Sequence, residues 1–387
     1  MESILLVHTT GDWWESRYHY KQVYALKKAG YKVHHMLKEQ DVLLAEDKDI
    51  ILVTPKRLRI TGGLSILKKV LKTNCKVIQI CSLETLPLGI VLAIFFRKKV
   101  FYDCIEDHYY SLLHSKTNLP KFVRRIIAKF ILFLEFLASK LFKGFIVSDP
   151  YLYQYHKRVK STRKMIFYNM PPLRQFGKPN RNVEKKWDLI ILGSMSIRTG
   201  VYDVVKAIKK LRDEGIVVSL KLIGDPYRDP DLSRELSKYI PEHKLGNQIH
   251  NTGKIPFYQV KKEMEECSVG VIPLLDLPKF QNNIAMKLWE YMALGLPVIA
   301  SDLPPQRHFV KENVTGLFYP PGNIQILCEK IKNLLEDTSR VRTIGENGID
   351  RIHIDWNSEN QEKKYIDFYR KILNNADYEE SELPPFL

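Results

Sequence analysis

NNIAMKLWEYMALGLPVIASD, residues 282–302, joins a helical pattern to a short apolar strand ending in Ser-Asp through a turn that carries Gly295 and Pro297. Asn282 and Asn283 are N-cap residue types, so the pattern predicts a helix beginning near Ile284. Such a helix presents unbonded backbone N–H groups, a favourable place for phosphate. Lys287 and Glu290 stand three residues apart and share a helix face. Lys287 suits a phosphate, and Glu290 suits the hydroxyl pair of a ribose. The plainer alternative is a surface ion pair beside a core helix.

Working outward, the same strand–helix alternation recurs on both sides. In the first half, SILLVHTT, YKVHHML, DIILVT, CKVIQI, KVFYDC and GFIVS read as strands, with helical patterns such as RYHYKQVYALKKAG between them. In the second half, DLIILGS, VSLKLIG, QIHNTG, VGVIPL and GLFYP repeat the arrangement. Continuous apolar strands separated by helices predict parallel sheets covered on both faces. A Pro-, Asn- and charge-rich stretch at 173–186 reads as a linker. The expected organisation is an N-terminal Rossmann-like domain over 1–172, a linker over 173–186 and a second Rossmann-like domain over 187–354. Residues 355–387 supply a last helix and a mobile acidic tail, DYEESELPPFL. Two doubly wound α/β domains facing across a cleft bind ligands outside the carboxyl ends of their strands. The loops after LLVHTT, VFYDC, IILGS, LKLIG and VIPL are therefore the expected site.

The composition narrows the partners. The 387 residues are 45% hydrophobic and 27% charged, ordinary for a folded chain, and the net charge of +16 favours an anionic partner. ILGSMSIRTG places Gly193, Ser194 and Arg198 between a strand and a helix. The glycine permits close backbone approach and the guanidinium offers a fork for phosphate. The stretch is neither G-x-G-x-x-G nor a Walker A loop. Asp229 and Asp231 form a D-x-D, read as the start of a helix capped by Asp231 or Ser233 rather than as a metal chelate. PKFVRRIIAKFILFLEFLASKLFKG mixes a strongly apolar helix with Lys121, Arg124, Arg125 and Lys129. It reads equally as a sheet-packing helix and as one lying on an anionic membrane surface. No scaffold for nucleic acid is recognisable. The five cysteines show no zinc-ligand spacing, so no metal is expected. No signal peptide and no membrane span are read in the sequence, which suits a cytoplasmic protein peripheral to the inner face of the cell membrane.

KLWEYMALGLPVIASDLP followed by NVTGLFYPPGN, and KVFYDCIEDHYYSLL followed by LEFLASKLFKGFIVSDPYL, resemble the retaining glycosyltransferase family 4, of GT-B fold. The resemblance covers nearly the whole chain. It implies metal-independent, retaining transfer from a nucleotide sugar, UDP- or GDP-linked, to a saccharide or lipid-linked acceptor in surface polysaccharide or glycolipid assembly. No further cofactor is implied. The donor set so implied is Gly11, Gly193, Ser194, Arg198, Ile255, Asn282, Asn283, Ile284, Lys287 and Glu290, with Glu290 on the ribose. The sequence departs from the family at four places. Asn282 replaces the first of two paired acids, and only Arg198 remains of two phosphate-binding cations, with Ser194 near the other. Cys81 and Ile105 stand where the family carries histidine. His108, with Glu106 beside it, is the expected substitute for catalysis. The other readings are a non-catalytic protein that binds a nucleotide sugar or a partner transferase, and a nucleotide-sugar epimerase.

Overall fold

A computed structural model describes residues 2–9, 16–38, 50–53, 60–114, 119–282 and 284–380. The chain divides into two units, Met1–Asn169 with Gln361–Leu387, and Met170–Asn360.

The first unit holds a seven-stranded parallel sheet. Its strands are β1 (Ser3–Val7), β2 (Lys32–Lys38), β3 (Ile50–Val53), β4 (Val77–Ile80), β5 (Lys99–Cys104), β6 (Gly144–Val147) and β7 (Lys164–Ile166). Their order is β3-β2-β1-β4-β5-β6-β7. The chain reverses its direction of winding between β1 and β4, where Ile4 pairs with Val33 on one side and Val77 on the other. VIQI in β4 and GFIV in β6 are buried at every position, as strands covered on both faces must be. The short β7 is absent from the sequence reading. It forms the sheet edge, and Glu380 accepts a hydrogen bond from the Ile166 N–H at 2.7 Å. The start of the acidic tail is thus anchored rather than mobile: Tyr378 is buried, and its N–H donates to Thr162 O at 3.1 Å.

The second unit repeats the plan with β8 (Trp187–Leu192), β9 (Leu220–Ile223), β10 (Ile249–Asn251), β11 (Cys267–Ile272), β12 (Val298–Ser301) and β13 (Gly316–Tyr319). Their order is β10-β9-β8-β11-β12-β13, all parallel, so the winding reverses between β8 and β11. The helix Val201–Asp213 buries Val201, Val204, Val205, Ile208 and Leu211 against the strands, the 3.6-residue stripe of an amphipathic helix. The segment read as a linker is packed into this unit. Phe176 is buried 5.8 Å from the Phe257 ring, and the Asn180 N–H donates to Glu265 at 2.9 Å.

The helix Ser358–Leu373 leaves the second unit and enters the first. Tyr365, Phe368 and Tyr369 join the first unit's core, with the Tyr369 ring stacked 4.3 Å from that of Phe101. Both tyrosine hydroxyls donate to the Gln79 side-chain oxygen, at 2.7 and 2.5 Å. A buried polar group left without a partner costs about 1–3 kcal/mol, so these bonds help fix where the helix docks.

Candidate active site

In the second unit the site is built at the carboxyl edge, where β8 and β11 adjoin. β8 ends at Leu192, and Gly193 turns the chain with φ +96°. The Gly193 N–H donates to Ile223 O at 2.8 Å, and a Cβ on Gly224 would stand 2.2 Å from Gly193 O. The loops after β8 and β9 therefore touch backbone to backbone. Gly200, at φ +73°, approaches the loop after β11 just as closely, since a Cβ there would meet Pro273 O at 1.7 Å. Between these anchors Ser196 and Thr199 cap one short turn reciprocally, and Arg198 stands exposed on it.

The neighbouring helix runs from Lys287 to Ala293. It is seated by Tyr291, whose ring lies over Gly270 and whose hydroxyl accepts the Leu192 N–H at 2.9 Å. Lys287 is four residues before Tyr291 and so faces the same way. Its Cε and Nζ lie 3.9 and 4.0 Å from where a Gly193 Cβ would be. Burial pushes the Lys287 ammonium down to about 8, with the Glu290 carboxylate opposing that shift. The arrangement is a cation and a half-buried acid beside an open backbone turn at a topological switch point.

The helix begins at Lys287, not near Ile284, and Met286 occupies the cap position with no side-chain cap bond. Asn282 is exposed in a preceding turn, so the expected asparagine cap does not form. The Leu288 and Trp289 N–H groups already donate to Ala285 and Met286 carbonyls. Ile284 is buried, and Asn283 and Gly11 lie outside the described residues. Ile255 sits half-buried on the loop after β10, while Gly193 and Ser194 are exposed. The D-x-D is a helix start, but its cap is Asp229. That carboxylate accepts the Leu232 N–H at 2.9 Å and the Ile197 N–H at 3.4 Å, which ties the Arg198 turn to the next helix.

In the first unit, β5 carries Asp103 into the interior. Arg17 grips it with two bonds, Nε to one oxygen at 3.0 Å and Nη2 to the other at 2.7 Å, and Gln22 adds a third at 2.6 Å. Arg17, Lys21 and Gln22 come from the π-helix Ser16–Val23, where the sequence pattern had promised ordinary α-helix. A wound-out turn of this kind often marks a functional element, and here it turns three polar side chains inward. Cys81 is buried, accepts from Tyr18 through its carbonyl at 3.1 Å and lies 3.3 Å from the Gln79 amide. Ile105 is exposed. Beyond it His108 opens the helix His108–His114, half-buried, with Nδ1 3.5 Å from the exposed Glu106 carboxylate. The two expected catalytic residues thus face each other. Asp107, between them, instead caps that helix and accepts from Tyr151 Oη at 2.7 Å.

Below this turn the structure gathers Cys104, Glu135 and His156, all buried, with one ligand-type atom from each within 4.8 Å of the others. Spacing along the chain could not reveal the group, because it draws on three elements. Cys104 already donates to Glu106 O at 3.3 Å, and Tyr155 Oη donates to Glu135 at 2.9 Å. Burial pushes the Glu135 carboxyl up to about 7 and the His156 imidazole down to about 3. His156 is therefore neutral at neutral pH, and Glu135 is divided between its protonated and ionised forms there. Among the described residues, Glu135 Oε1 and His156 Nε2 make no hydrogen bond. No described helix is long and apolar enough to cross a membrane.

Residues 174–351 match the family model for glycosyl transferases group 1. The match spans most of the second unit. Among curated relatives, the WcaL colanic acid biosynthesis glycosyltransferase of Escherichia coli, named as putative, is 19% identical over 44% of this chain and 42% of its own. The capsular polysaccharide biosynthesis glycosyltransferase CapM of Staphylococcus aureus is 22% identical over 52% of this chain and 53% of its own. The chain thus spans about half or less of the curated relatives it matches. Several solved structures match over nearly the whole chain. Sucrose-phosphate synthase from Thermosynechococcus elongatus superposes with a TM-score of 0.76 at 18% identity, covering 97% of this chain and all of that one. Anabaena HepE, solved with UDP and glucose, superposes at 0.73 and 16% identity, covering 96% of this chain and all of that one. The whole chain has the GT-B fold.

Proposed function

We propose that this glycosyltransferase moves a sugar from a nucleotide-sugar donor to a saccharide or lipid-linked acceptor, with retention at the anomeric carbon, in surface polysaccharide or glycolipid assembly. The observation that carries the reading is Lys287 lying against Gly193, with Glu290 on the same helix, where β8 and β11 meet. A diphosphate there meets a desolvated cation, and Arg198 supplies a second charge. Glu290 accepts hydrogen bonds from the ribose. In the transfer step the bond from the anomeric carbon to the diphosphate oxygen breaks, and the acceptor oxygen bonds to that carbon. The acceptor's proton passes to the departing phosphate, so no metal and no strong protein base are needed. His108, poised by Glu106, orients the reacting sugar. The relatives named for capsule and colanic acid synthesis support the class of product, and HepE's bound UDP supports the class of donor.

Titration calorimetry with UDP- and GDP-sugars tests donor binding. Glu290→Ala is expected to weaken it by about 1.5–3 kcal/mol, the worth of a hydrogen bond to a charged group. Unchanged affinity refutes the ribose assignment. His108→Ala is expected to lower turnover about 10²- to 10⁴-fold at unchanged stability.

A second reading has its own observation. Cys81 is buried in packing contacts and Ile105 points a hydrocarbon outward, so neither resembled histidine position carries an imidazole. On that reading the protein binds a donor without transferring it. Donor binding with neither transfer nor hydrolysis, under conditions where the wild-type acceptor is present, would establish it.

A further inference from the structure

The helix Lys121–Leu141 has two apolar faces, and among the described residues only one is covered. Ala128, Ile131 and Ala138, with Glu135 among them, are buried in the first unit. On nearly the opposite side Phe122, Ile126, Phe130 and Phe133 are 65%, 63%, 56% and 53% exposed. Their spacing of four, four and three residues makes one continuous stripe. Lys121, Arg125 and Lys129, all exposed, repeat at the same spacing one residue earlier and so form a cationic stripe about 100° round the helix. Arg124, expected among the surface cations, belongs to the other side: it is half-buried and its Nη1 donates to Leu113 O at 3.1 Å. The helix Leu86–Phe95 packs against this one and ends in Ile94, Phe95 and Phe96, with Phe95 74% exposed, followed by exposed Arg97.

We propose that these two helices dock the protein on an anionic lipid bilayer, with the aromatic and isoleucine side chains entering the acyl boundary and Lys121, Arg125, Lys129 and Arg97 meeting the headgroups. Aromatic and aliphatic side chains beside a row of cations are what an interfacial helix requires. Apolar side chains gathered on two adjacent helices are uncommon on a surface without a partner. The occupant follows from charge. A second copy of the chain meeting the same face across a two-fold axis would bring the same cations and no acidic stripe to match them, since the only acid of this helix is the buried Glu135, whereas anionic headgroups neutralise them. The net charge of +16 adds long-range attraction of the same sign.

The test is co-sedimentation of the full chain with vesicles of phosphatidylcholine alone or mixed with phosphatidylglycerol, at low and high salt. Binding is expected only to the mixed vesicles and to weaken with salt. Lys121→Gln, Arg125→Gln and Lys129→Gln together are expected to reduce it about a hundredfold at low salt. Phe122→Gln, Ile126→Gln and Phe130→Gln together are expected to reduce it at least about tenfold while the salt dependence remains. Hydrogen exchange of the wild type checks the site without any variant: vesicles should protect residues 121–133 and 93–97. Wild type that ignores phosphatidylglycerol overturns the proposal, and so does protection elsewhere. A solution dimer that the apolar variant dissociates assigns the face to self-association and overturns it as well.

Discussion

The two units use the same winding but treat charge at their strand ends in opposite ways. In the first, Arg17 is buried and matched with the Asp103 carboxylate, and Lys21 donates to Asn169 O at 3.1 Å. In the second, Arg198 is exposed, and Lys287 is desolvated beside a bare glycine turn with Glu290 as the charged neighbour that opposes its shift. A cation whose partner is already inside the protein stabilises the fold. A cation held at a backbone opening is available to a ligand. The two halves share one architecture, and among the described residues only the proposed donor site leaves its cations unmatched by a clamp of the Arg17–Asp103 type.

The sharpest way to break this contrast is Asp103→Ala. It strands the Arg17 guanidinium in the interior and is expected to cost the first unit about 3–5 kcal/mol, read as a fall in its unfolding midpoint. Nucleotide affinity of the remaining folded protein should be unchanged, and a large affinity loss at intact stability would make Asp103 functional instead. Gly200→Ala probes the other half. The new Cβ meets Pro273 O at 1.7 Å and the residue sits at φ +73°, so the Arg198 turn must shift. The expected cost is about 2–4 kcal/mol in the second unit, with weakened donor binding at temperatures where it stays folded. Full stability would show that the turn is not held by that approach.

Glu135→Gln tests the trio. The carboxyl is raised from 4.5 to about 7 in the folded protein, so between those values the folded state holds a proton that the unfolded state has released. Stability therefore falls as pH rises through that window. The glutamine variant should equal wild type near pH 4 and exceed it by about 3 kcal/mol above pH 8 in chemical denaturation. A pH-independent difference would contradict a protonated Glu135. The smallest effect concerns Lys287, whose ammonium in the free protein titrates at about 8. Donor affinity should be level below that pH and decline above it by up to about tenfold per unit, and a flat profile to pH 9.5 would remove Lys287 from phosphate binding.

Much of this architecture could be read before any coordinates. Apolar runs such as LIIL and VIAS are too continuous for strands with a wet face, so parallel sheets followed from residue type and spacing alone. Lys287 and Glu290 were legible because a helix face is periodic, and Gly193 because a strand-to-helix turn needs a backbone that other residues resist. What sequence could not supply lay across elements. The N-cap at Asn282 followed a sound preference, yet the helix starts at Lys287, and its seat is set by Tyr291, which lies over Gly270 and accepts the Leu192 N–H. The same holds for the Arg17–Asp103–Gln22 network, the tyrosines of the last helix on Gln79, the trio at Glu135 and the uncovered stripe from Phe122 to Phe133. Local pattern sets which segments are helix or strand, since backbone geometry repeats over a few residues. Which side chains are paired, neutralised or left uncovered depends on neighbours far away in the chain, and only the packed structure brings those together.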